Sequence, residues 1–251
     1  MLTEIDDRVL AAINLHAVLG ALPRLVELSP EAARALAPVA RPTTLTLIAP
    51  GGLRASYTFT STAIRRGGGA SGPTLLFTSA KHLNAVIAGA AQPVPVAGPR
   101  GIAFLANVFT PISALLGEAL KSEDPAVTER TTLLTLEVVA SALTVVANGD
   151  RSGRVSAAHM ADGDLDIEVG DDLRYRIRVR DHRLSRLSDP VGCPRAALRF
   201  DDLRVAGDVL SGRETALACV GDGRVTMRGY IPLIDNTNRL LDRVGAYLGA
   251  S

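Results

Sequence analysis

Alternation of apolar and polar residues predicts two neighbouring β-strands in the second half of the chain. Residues 164–169 read Asp-Leu-Asp-Ile-Glu-Val, and residues 174–180 read Arg-Tyr-Arg-Ile-Arg-Val-Arg. A period of two residues is typical of a strand with one buried face, and Gly170-Asp171-Asp172 predicts a hairpin turn between the two. We interpret the acidic stripe of one strand and the basic stripe of the other as cross-strand partners that fix the register. The alternative is that the basic stripe binds a lipid surface or an anionic ligand.

The same pattern recurs in the first half of the chain. Gly51-Gly52-Leu53-Arg54 matches Asp171-Asp172-Leu173-Arg174 at an offset of 120 residues. The segment from Leu76-Phe77 to Gly89 matches the segment from Arg199-Phe200 to Gly212 at an offset of 123. Because the matches keep the same order along both halves, the sequence predicts a duplication. The alternative is chance similarity in a chain rich in alanine, leucine and valine.

Each half, residues 1–122 and residues 123–251, is predicted to fold as one α+β unit. Apolar residues at helical spacing predict an opening helix, and a hairpin, a third strand ending at Phe77 or Phe200, a helix, a last strand and a final helix follow. This order is typical of a mainly antiparallel sheet covered on one face by helices. The predicted bounds are Asp7–Leu22 and Thr128–Val146 for the opening helices, Gly101–Leu105 and Arg224–Arg228 for the last strands, and Pro111–Lys121 and Asn236–Leu248 for the final helices.

Composition and charge argue against several classes of function. The 27 basic and 26 acidic side chains leave a net charge of +1, aromatic residues make up 4% of the chain and tryptophan is absent, which disfavours a nucleic-acid partner. Cys193 and Cys219 are expected to be free thiols. The apolar run Gly101–Gly117 contains Asn107 and Pro111, and we expect it to fall short of a membrane span. With no signal peptide recognised, we expect a soluble cytoplasmic protein.

The second half resembles a known family at three places. Leu198-Arg199-Phe200 is followed by a helix that ends in Leu210-Ser211-Gly212-Arg213, and then by the strand Gly223-Arg224-Val225-Thr226-Met227-Arg228-Gly229. This series resembles the sterol carrier protein 2 (SCP2) lipid-binding domain, over about residues 130–248. Arg213 and Arg224 stand where the family usually has lysine.

The first half keeps less of this resemblance. It retains Leu75-Leu76-Phe77 and Ile87-Ala88-Gly89, but three prolines between residues 93 and 99 interrupt the next segment, and Ala106 replaces the closing glycine. The resemblance implies two SCP2-like units that form a pseudo-dimer. It also implies an apolar tunnel between sheet and helices that takes acyl chains, sterols or other lipophiles.

The predicted ligand-binding residues are mostly apolar side chains between the strands and helices of each unit. A dry cavity with few polar groups suits a lipophilic ligand, and Tyr230 offers one polar group. The alternative is that these residues simply fill a core. The final helices, Val108–Leu120 and Ile231–Leu248, are the predicted gates. The predicted lining comprises Phe77, Phe104, Phe109, Leu198, Phe200, Val209, Leu210, Met227, Tyr230 and Ile231.

Glu137 and His16 are the predicted catalytic pair. Glu137 lies in the apolar series Leu133–Ala140, where an ionised carboxylate is costly to bury without a partner. His16 holds the matching position at an offset of 121. Two ionisable groups at matched positions of repeated helices suggest an acid–base couple or a polar anchor. The alternative places each of them on a solvated helix edge.

Binding and carriage of a lipophilic small molecule is the leading prediction, with no cofactor and no metal. One alternative is an enzyme on the same scaffold that cyclises or isomerises a polyketide, terpenoid or sterol-like substrate. Another is an interaction module without a ligand. Asp162–Asp166 resembles the start of a calcium loop but departs from its pattern. Arg65–Gly69 lacks the strand–loop–helix context of a phosphate loop, and we interpret it as a flexible hairpin loop. Further oligomerisation is left open.

Overall fold

The computed structural model of the chain describes residues 4–121, 128–189 and 191–249. The described residues form two compact units. Residues 5–121 make up the first, and the described residues of 128–249 together with residue 4 make up the second. Each unit combines helices with one five-stranded mixed sheet, so the predicted α+β class is confirmed.

The first unit begins with a helical segment in which the hydrogen-bond spacing changes along its length. Asp6 starts this segment, because its carboxylate accepts hydrogen bonds from the amides of Arg8 and Val9. In chain order the elements are α1 (Asp7–Ile13), a π-helical turn (Asn14–Val18), a 3₁₀ turn (Leu19–Ala21), α2 (Leu22–Leu28), α3 (Pro30–Ala35), β1 (Thr43–Ala49), β2 (Leu53–Phe59), β3 (Ile64–Arg66), β4 (Thr74–Leu76), α4 (Ala80–Ile87), β5 (Val94–Val96), α5 (Pro99–Phe104), a second π-helical turn (Leu105–Phe109) and α6 (Thr110–Lys121).

The second unit begins with one uninterrupted α-helix. Asp150 then caps the following helix, since its carboxylate accepts a hydrogen bond from the amide of Gly153. In chain order the elements are α7 (Thr128–Gly149), α8 (Arg151–Ala158), β6 (Gly163–Val169), β7 (Leu173–Arg180), β8 (Arg183–Leu187), β9 (Ala196–Phe200), α9 (Leu203–Leu210), α10 (Ala216–Gly221), β10 (Val225–Gly229) and α11 (Ile231–Leu248).

The two sheets have the same topology. The strand order is β3-β2-β1-β4-β5 in the first unit and β10-β9-β6-β7-β8 in the second, which is the same order read from the opposite edge. In each sheet the first strand pairs in parallel with the fourth, and the other three pairings are antiparallel. Both halves therefore share one strand order, as the predicted duplication requires, and the sheets are mainly antiparallel as predicted.

The last strand and final helix of the first unit lie earlier than predicted. The strand β5 is at Val94–Val96 rather than Gly101–Leu105, and the final helix runs without a break from Pro99 to Lys121 rather than starting at Pro111. Pro95 is tolerated because β5 is an edge strand that pairs on one side only. Pro99 stands in the first turn of the helix, where no intrahelical amide donor is needed, and this accounts for the earlier start.

Three further elements differ from the prediction. The hairpin is followed by a short third strand in each unit, β3 and β8, so the strands that end near Phe77 and Phe200 are the fourth. β3 includes Arg65 and Arg66, which were assigned to a flexible loop. The final helix α11 begins at Ile231, as in the predicted gate Ile231–Leu248 and five residues before the other predicted start at Asn236, with Pro232 in its first turn.

The long apolar helices differ in how much of them the protein covers. Three helices of the described chain are long and apolar enough to cross a bilayer, judged by length and composition alone: Asp7–Leu28, Pro99–Lys121 and Thr128–Gly149. The expectation that the run Gly101–Gly117 falls short was wrong, because the helix that contains it has 23 residues. The apolar windows of the first and third helices are 72% and 61% buried, whereas that of Pro99–Lys121 is only 22% buried.

An ion pair is buried on the outer face of the second sheet, away from the helices. Asp166 and Arg176 face each other across β6 and β7, and both side chains are fully buried. Two hydrogen bonds, of 2.6 and 2.7 Å, join the guanidinium to the carboxylate. Arg176 also donates to the carbonyl oxygens of Val191 and Gly192, at 2.8 and 2.9 Å, so these two residues cover the pair. The predicted cross-strand partnership is thus confirmed at this position.

The neighbouring pair on the same face lies closer to solvent. Arg178 donates two hydrogen bonds to Asp164, of 2.8 and 2.9 Å, and its side chain is 40% exposed. The bonds from Arg178 hold the pKa of Asp164 below its usual value. Glu168 accepts a hydrogen bond of 2.6 Å from Arg228 on β10, so charge pairing extends across the sheet.

Hydroxyl groups take the place of these charges in the first sheet. Thr44 bonds to Thr58 at 2.9 Å and Thr46 to Ser56 at 3.2 Å, at the positions that match Asp164–Arg178 and Asp166–Arg176. The segment after β3 lies across this face. A Cβ atom at Gly72 would lie 2.1 Å from the carbonyl oxygen of Thr44, so only glycine fits there.

Candidate functional site

Arg186 ties strand β8 to helix α7 on the inner face of the second sheet. Its guanidinium donates two hydrogen bonds to the carboxylate of Glu137, the second at 2.8 Å, and one of 3.2 Å to the hydroxyl of Ser141. The same group lies over the ring of Tyr175, 5.0 Å from the centroid. Glu137, whose side chain is 12% exposed, therefore has the partner that burial of a carboxylate requires.

The contacts of Glu137 bear on its predicted catalytic role. A bidentate guanidinium occupies both carboxylate oxygens. A proton transfer from or to Glu137 would have to break one of these bonds. The approach of His16 to Glu137 and the acid–base role of both residues stay predictions.

Replacing Glu137 by glutamine is expected to lower the free energy of unfolding by about 1–3 kcal/mol. The substitution leaves the half-buried Arg186 facing a neutral amide. The NH2 group of that amide is itself a donor, so it cannot accept a hydrogen bond from the guanidinium. Urea denaturation followed by circular dichroism measures the change. Glu129→Gln, at an exposed position of the same helix, is the control and should change the free energy by less than about 0.5 kcal/mol. A Glu137→Gln protein more stable than the unsubstituted protein would mean that the ion pair does not repay its desolvation.

The first unit has a matching tie between strand and helix, with a different partner. Arg66 is the counterpart of Arg186, and it donates hydrogen bonds of 3.2 and 2.8 Å to the carbonyl oxygen of Gly20, the counterpart of Ser141. His16 lies on the π-helical turn. Burial, and secondarily the positive charge of Arg66, lower the pKa of His16 below its usual value. At neutral pH the imidazole is therefore neutral.

Tyr57 holds the π-helical turn of the first unit against the sheet. Its hydroxyl donates a hydrogen bond to the carbonyl oxygen of Leu15. Burial raises the pKa of Tyr57 to about 12, although the charge of Arg66 opposes this. The phenol thus stays protonated and keeps its donor role. No local sequence pattern indicates this contact, because 42 residues separate the two partners.

The predicted lining residues fall into three classes of burial. Phe77, Phe104, Leu198 and Phe200 are buried. The side chains of Phe109, Val209 and Leu210 are partly exposed. Met227, Tyr230 and Ile231 are exposed. In the first unit, Phe104 and Phe109 pack edge-to-face against Phe59, with ring centroids 5.1 and 6.4 Å apart.

The inner face of the second sheet is open at its edge strand. Met227 on β10 pairs with Leu198 on β9, which places both side chains on the inner face. Leu198 is 6% exposed, but Met227 is 41% exposed, followed along the chain by Tyr230 and Ile231 at 38% and 62%. We call Met227, Tyr230 and Ile231 the open edge. These three are the most exposed of the predicted lining residues.

Two contacts fix the backbone at the open edge. Gly229 has a φ of +88°, and a Cβ atom there would lie 2.2 Å from the carbonyl oxygen of Arg195. The guanidinium of Arg195 lies over the ring of Tyr230, 4.2 Å from its centroid. The closing glycine of the resemblance is therefore a requirement of close backbone packing. In the first unit its counterpart by strand register is Ala97, not Ala106 as predicted.

A cleft of about 310 Å³ lies where β6 begins and β7 ends. It is lined by Asp162, Gly163, Asp164, Arg178, Val179 and Arg180. Because both charged partners of the Asp164–Arg178 pair line it, the cleft does not suit a lipophilic ligand. Among the described residues, no group of three or more histidine, cysteine, aspartate and glutamate side chains is arranged to hold a metal ion.

Comparisons with known proteins find similarity at the level of structure. No protein-family model and no curated protein matches the chain. A UbiJ-SCP2 ubiquinone synthesis protein matches 45% of this chain and 96% of its own, with 18% identity and a TM-score of 0.36. Sterol Carrier Protein 2 Like 2 from Aedes aegypti matches 44% and 96%, with 10% identity and a TM-score of 0.30. A conserved hypothetical protein from Thermus thermophilus, described as possibly a sterol carrier protein, matches 44% and 87%, with 16% identity and a TM-score of 0.32.

Each of these matches covers slightly less than half of the chain, which is the size of one unit. The names of these matched structures agree with the resemblance to the SCP2 family that the sequence shows. What the chain binds does not follow from a likeness of fold.

Proposed function

We propose that the protein binds a lipophilic small molecule between the sheet and the helices of its second unit and carries it. The ligand would pass through the open edge and lie along the buried side chains of β9. Leu198 and Phe200 would contact its apolar body, and Val209 and Leu210 on α9 would form the opposite wall. The ligand class is an acyl chain, a sterol or a polyketide- or terpenoid-like molecule, and the location is cytoplasmic.

The exposure of Met227 carries this proposal. A large apolar side chain on the inner face of a sheet is normally covered, because each square ångström of apolar surface removed from water contributes about 25 cal/mol. Here 41% of Met227 stays in contact with water while its neighbour Leu198 is buried. An apolar ligand at this position would cover the side chain and gain the same free energy. The charged outer face, by contrast, is already satisfied by its own ion pairs.

Met227→Asp is expected to weaken binding of a fluorescent fatty acid at least tenfold. A carboxylate at the open edge would have to be desolvated when the apolar ligand arrives. Because Met227 is 41% exposed, the free energy of unfolding should change by less than about 1 kcal/mol, unlike that of a protein with a charge at the buried Phe200. Fluorescence titration measures the affinity, and circular dichroism confirms that the variant is folded.

Val155→Asp is the matched control, since Val155 is an exposed valine on helix α8. It should bind the probe as the unsubstituted protein does. Val209→Trp tests the interior, because the indole would obstruct a ligand bound between α9 and the sheet without adding charge. If folded Met227→Asp and Val209→Trp proteins both bind with unchanged affinity, the second unit does not hold the ligand.

Native mass spectrometry of the purified protein would identify the ligand itself. A lipophile that co-purifies and is released on denaturation would define the chemical class. The Glu137→Gln protein then separates carriage from catalysis. Carriage predicts an affinity for this ligand within a fewfold of the original, whereas an enzyme that uses Glu137 as an acid or base would lose turnover by roughly 100-fold.

A further inference from the structure

The final helix of the first unit presents an uncharged surface to solvent. Between Arg100 and Glu118 the helix Pro99–Lys121 carries no charged residue. Phe104, Val108, Ile112 and Leu116 form the one stripe that packs into the unit. The other faces are left with alanines, hydroxyl residues, the amide Asn107 and larger apolar side chains such as the exposed Ile102. A helix without a charged face is typical of a protein interior or of a lipid environment, not of water.

The second unit shows that the fold does not require its final helix to have an uncharged outer surface. Its helix α11 follows the last strand at the matching position of the topology. Helix α11 buries an apolar stripe in the same way, but exposes Asp235, Arg239 and Asp242 on its outer side. Asp235 and Arg239 form an ion pair of 3.2 Å one turn apart. The lack of charge is therefore particular to the first unit.

The net charges of the two halves also differ in sign. Residues 1–122 contain ten basic and six acidic side chains, whereas residues 123–251 contain seventeen basic and twenty acidic ones. The exposed Arg100 and Lys121 lie at the two ends of the apolar helix. A net positive half that exposes an uncharged apolar helix is complementary to a surface that is anionic and covers an apolar interior.

We propose that the helix Pro99–Lys121 docks the protein on an anionic lipid bilayer, lying in the plane of the headgroups. Its outer face, including Ile102, enters the boundary between headgroups and acyl chains. Arg100 and Lys121 contact lipid phosphates at the two ends. This role is independent of which unit holds a lipophilic ligand.

Sedimentation with vesicles tests the proposal. The protein should bind vesicles of phosphatidylcholine mixed with phosphatidylglycerol, bind vesicles of phosphatidylcholine alone more weakly, and lose affinity as salt is added. Ile102→Glu should weaken binding to the mixed vesicles roughly tenfold or more, because it places a negative charge at the lipid boundary. Leu217→Glu is the matched control, since Leu217 is an 82% exposed apolar residue of the second unit, and it should bind as before.

Three results would overturn the proposal. The first is failure of the protein to sediment with either vesicle, and the second is equal binding by Ile102→Glu and the unsubstituted protein. The third is a dimer in sedimentation velocity that Ile102→Glu dissociates while vesicle binding is absent, because a second copy would then cover the helix. Ala114→Glu, at another exposed position of the helix, replaces Ile102→Glu if that variant does not fold. Fatty-acid binding measured without vesicles should be the same in these variants, so failure here leaves the proposed carrier function standing.

Discussion

Replacing Arg176 by leucine is expected to destabilise the second unit by about 3–5 kcal/mol. The substitution removes two hydrogen bonds to Asp166 and two to the carbonyl oxygens that cover the pair. Among the residues that the structure describes, the fully buried Asp166 would keep only Arg174, at 3.4 Å, as a cationic partner. An uncompensated carboxylate in a dry position is among the costliest defects that one substitution can create. Urea denaturation followed by circular dichroism measures the loss.

Two further variants test whether burial of the ion pair causes the loss of stability expected for Arg176→Leu. Arg178→Ala breaks the adjacent pair, whose arginine is 40% exposed, and should cost no more than about 1 kcal/mol. The double variant Asp166→Leu/Arg176→Met removes both charges and should recover most of the stability that Arg176→Leu loses. Equal losses in Arg176→Leu and Arg178→Ala would show that the two pairs are equally solvated and that the buried ion pair does not form.

Replacing Asp150 by alanine is expected to lower the free energy of unfolding by about 3–5 kcal/mol, since three donors in two helices depend on its carboxylate. The carboxylate accepts hydrogen bonds from the amide of Gly153 at 2.8 Å, from Arg243 at 2.9 Å and from the hydroxyl of Tyr247 at 2.7 Å. Both Arg243 and Tyr247 belong to α11, so the cap of α8 also holds the final helix. Asp150→Asn keeps a side chain able to cap and should cost clearly less than alanine.

The pH dependence of this loss follows from the pKa of Asp150. Burial acts to raise this pKa, but the bonds from Arg243, Gly153 and Tyr247 outweigh it and the pKa is lowered. A carboxyl group with a lowered folded-state pKa stabilises the protein fully above its unfolded value, about pH 4, and the contribution disappears as the pH falls through the folded value. The difference in stability between the unsubstituted protein and Asp150→Asn should therefore shrink below about pH 4. A difference that stays constant down to about pH 3 would contradict the ionised state assigned to Asp150.

The sequence predicted the repeated elements because their patterns are local. The hairpin of β6 and β7 followed from strict alternation, and its counterpart followed from a constant offset. The edge strand β5 was missed because it has three residues and contains Pro95, which removes the signal of a strand without preventing one-sided pairing. Asp181-His182 was interpreted as a hairpin turn, and both residues do adopt the positive φ of a tight hairpin, but the strand β8 that follows this turn was missed.

The site was harder to predict than the fold, because its contacts join distant parts of the chain. The partner of Glu137 is 49 residues away, on a strand that the sequence did not reveal. The repeat itself offered one signal for this contact, because Arg66 and Arg186 are matched at the offset of 120 residues. The exposure of Met227 could not be predicted either. Alternation along β10 predicts which face of the sheet Met227 is on, but it does not predict how far the helices cover that face.

The unlike outer faces of the two sheets have a consequence for how the chain assembles. Two copies of one topology on a single chain can exchange strands while they fold, and such exchange is a known failure of repeated domains. If β6 paired with β2 instead of β7, Asp166 would face Ser56 and remain a buried charge without its arginine. If β7 paired with β1, Arg176 would face Thr46 and lack its carboxylate. The ion pairs therefore penalise every exchanged hairpin, and each copy is directed to close on its own strands.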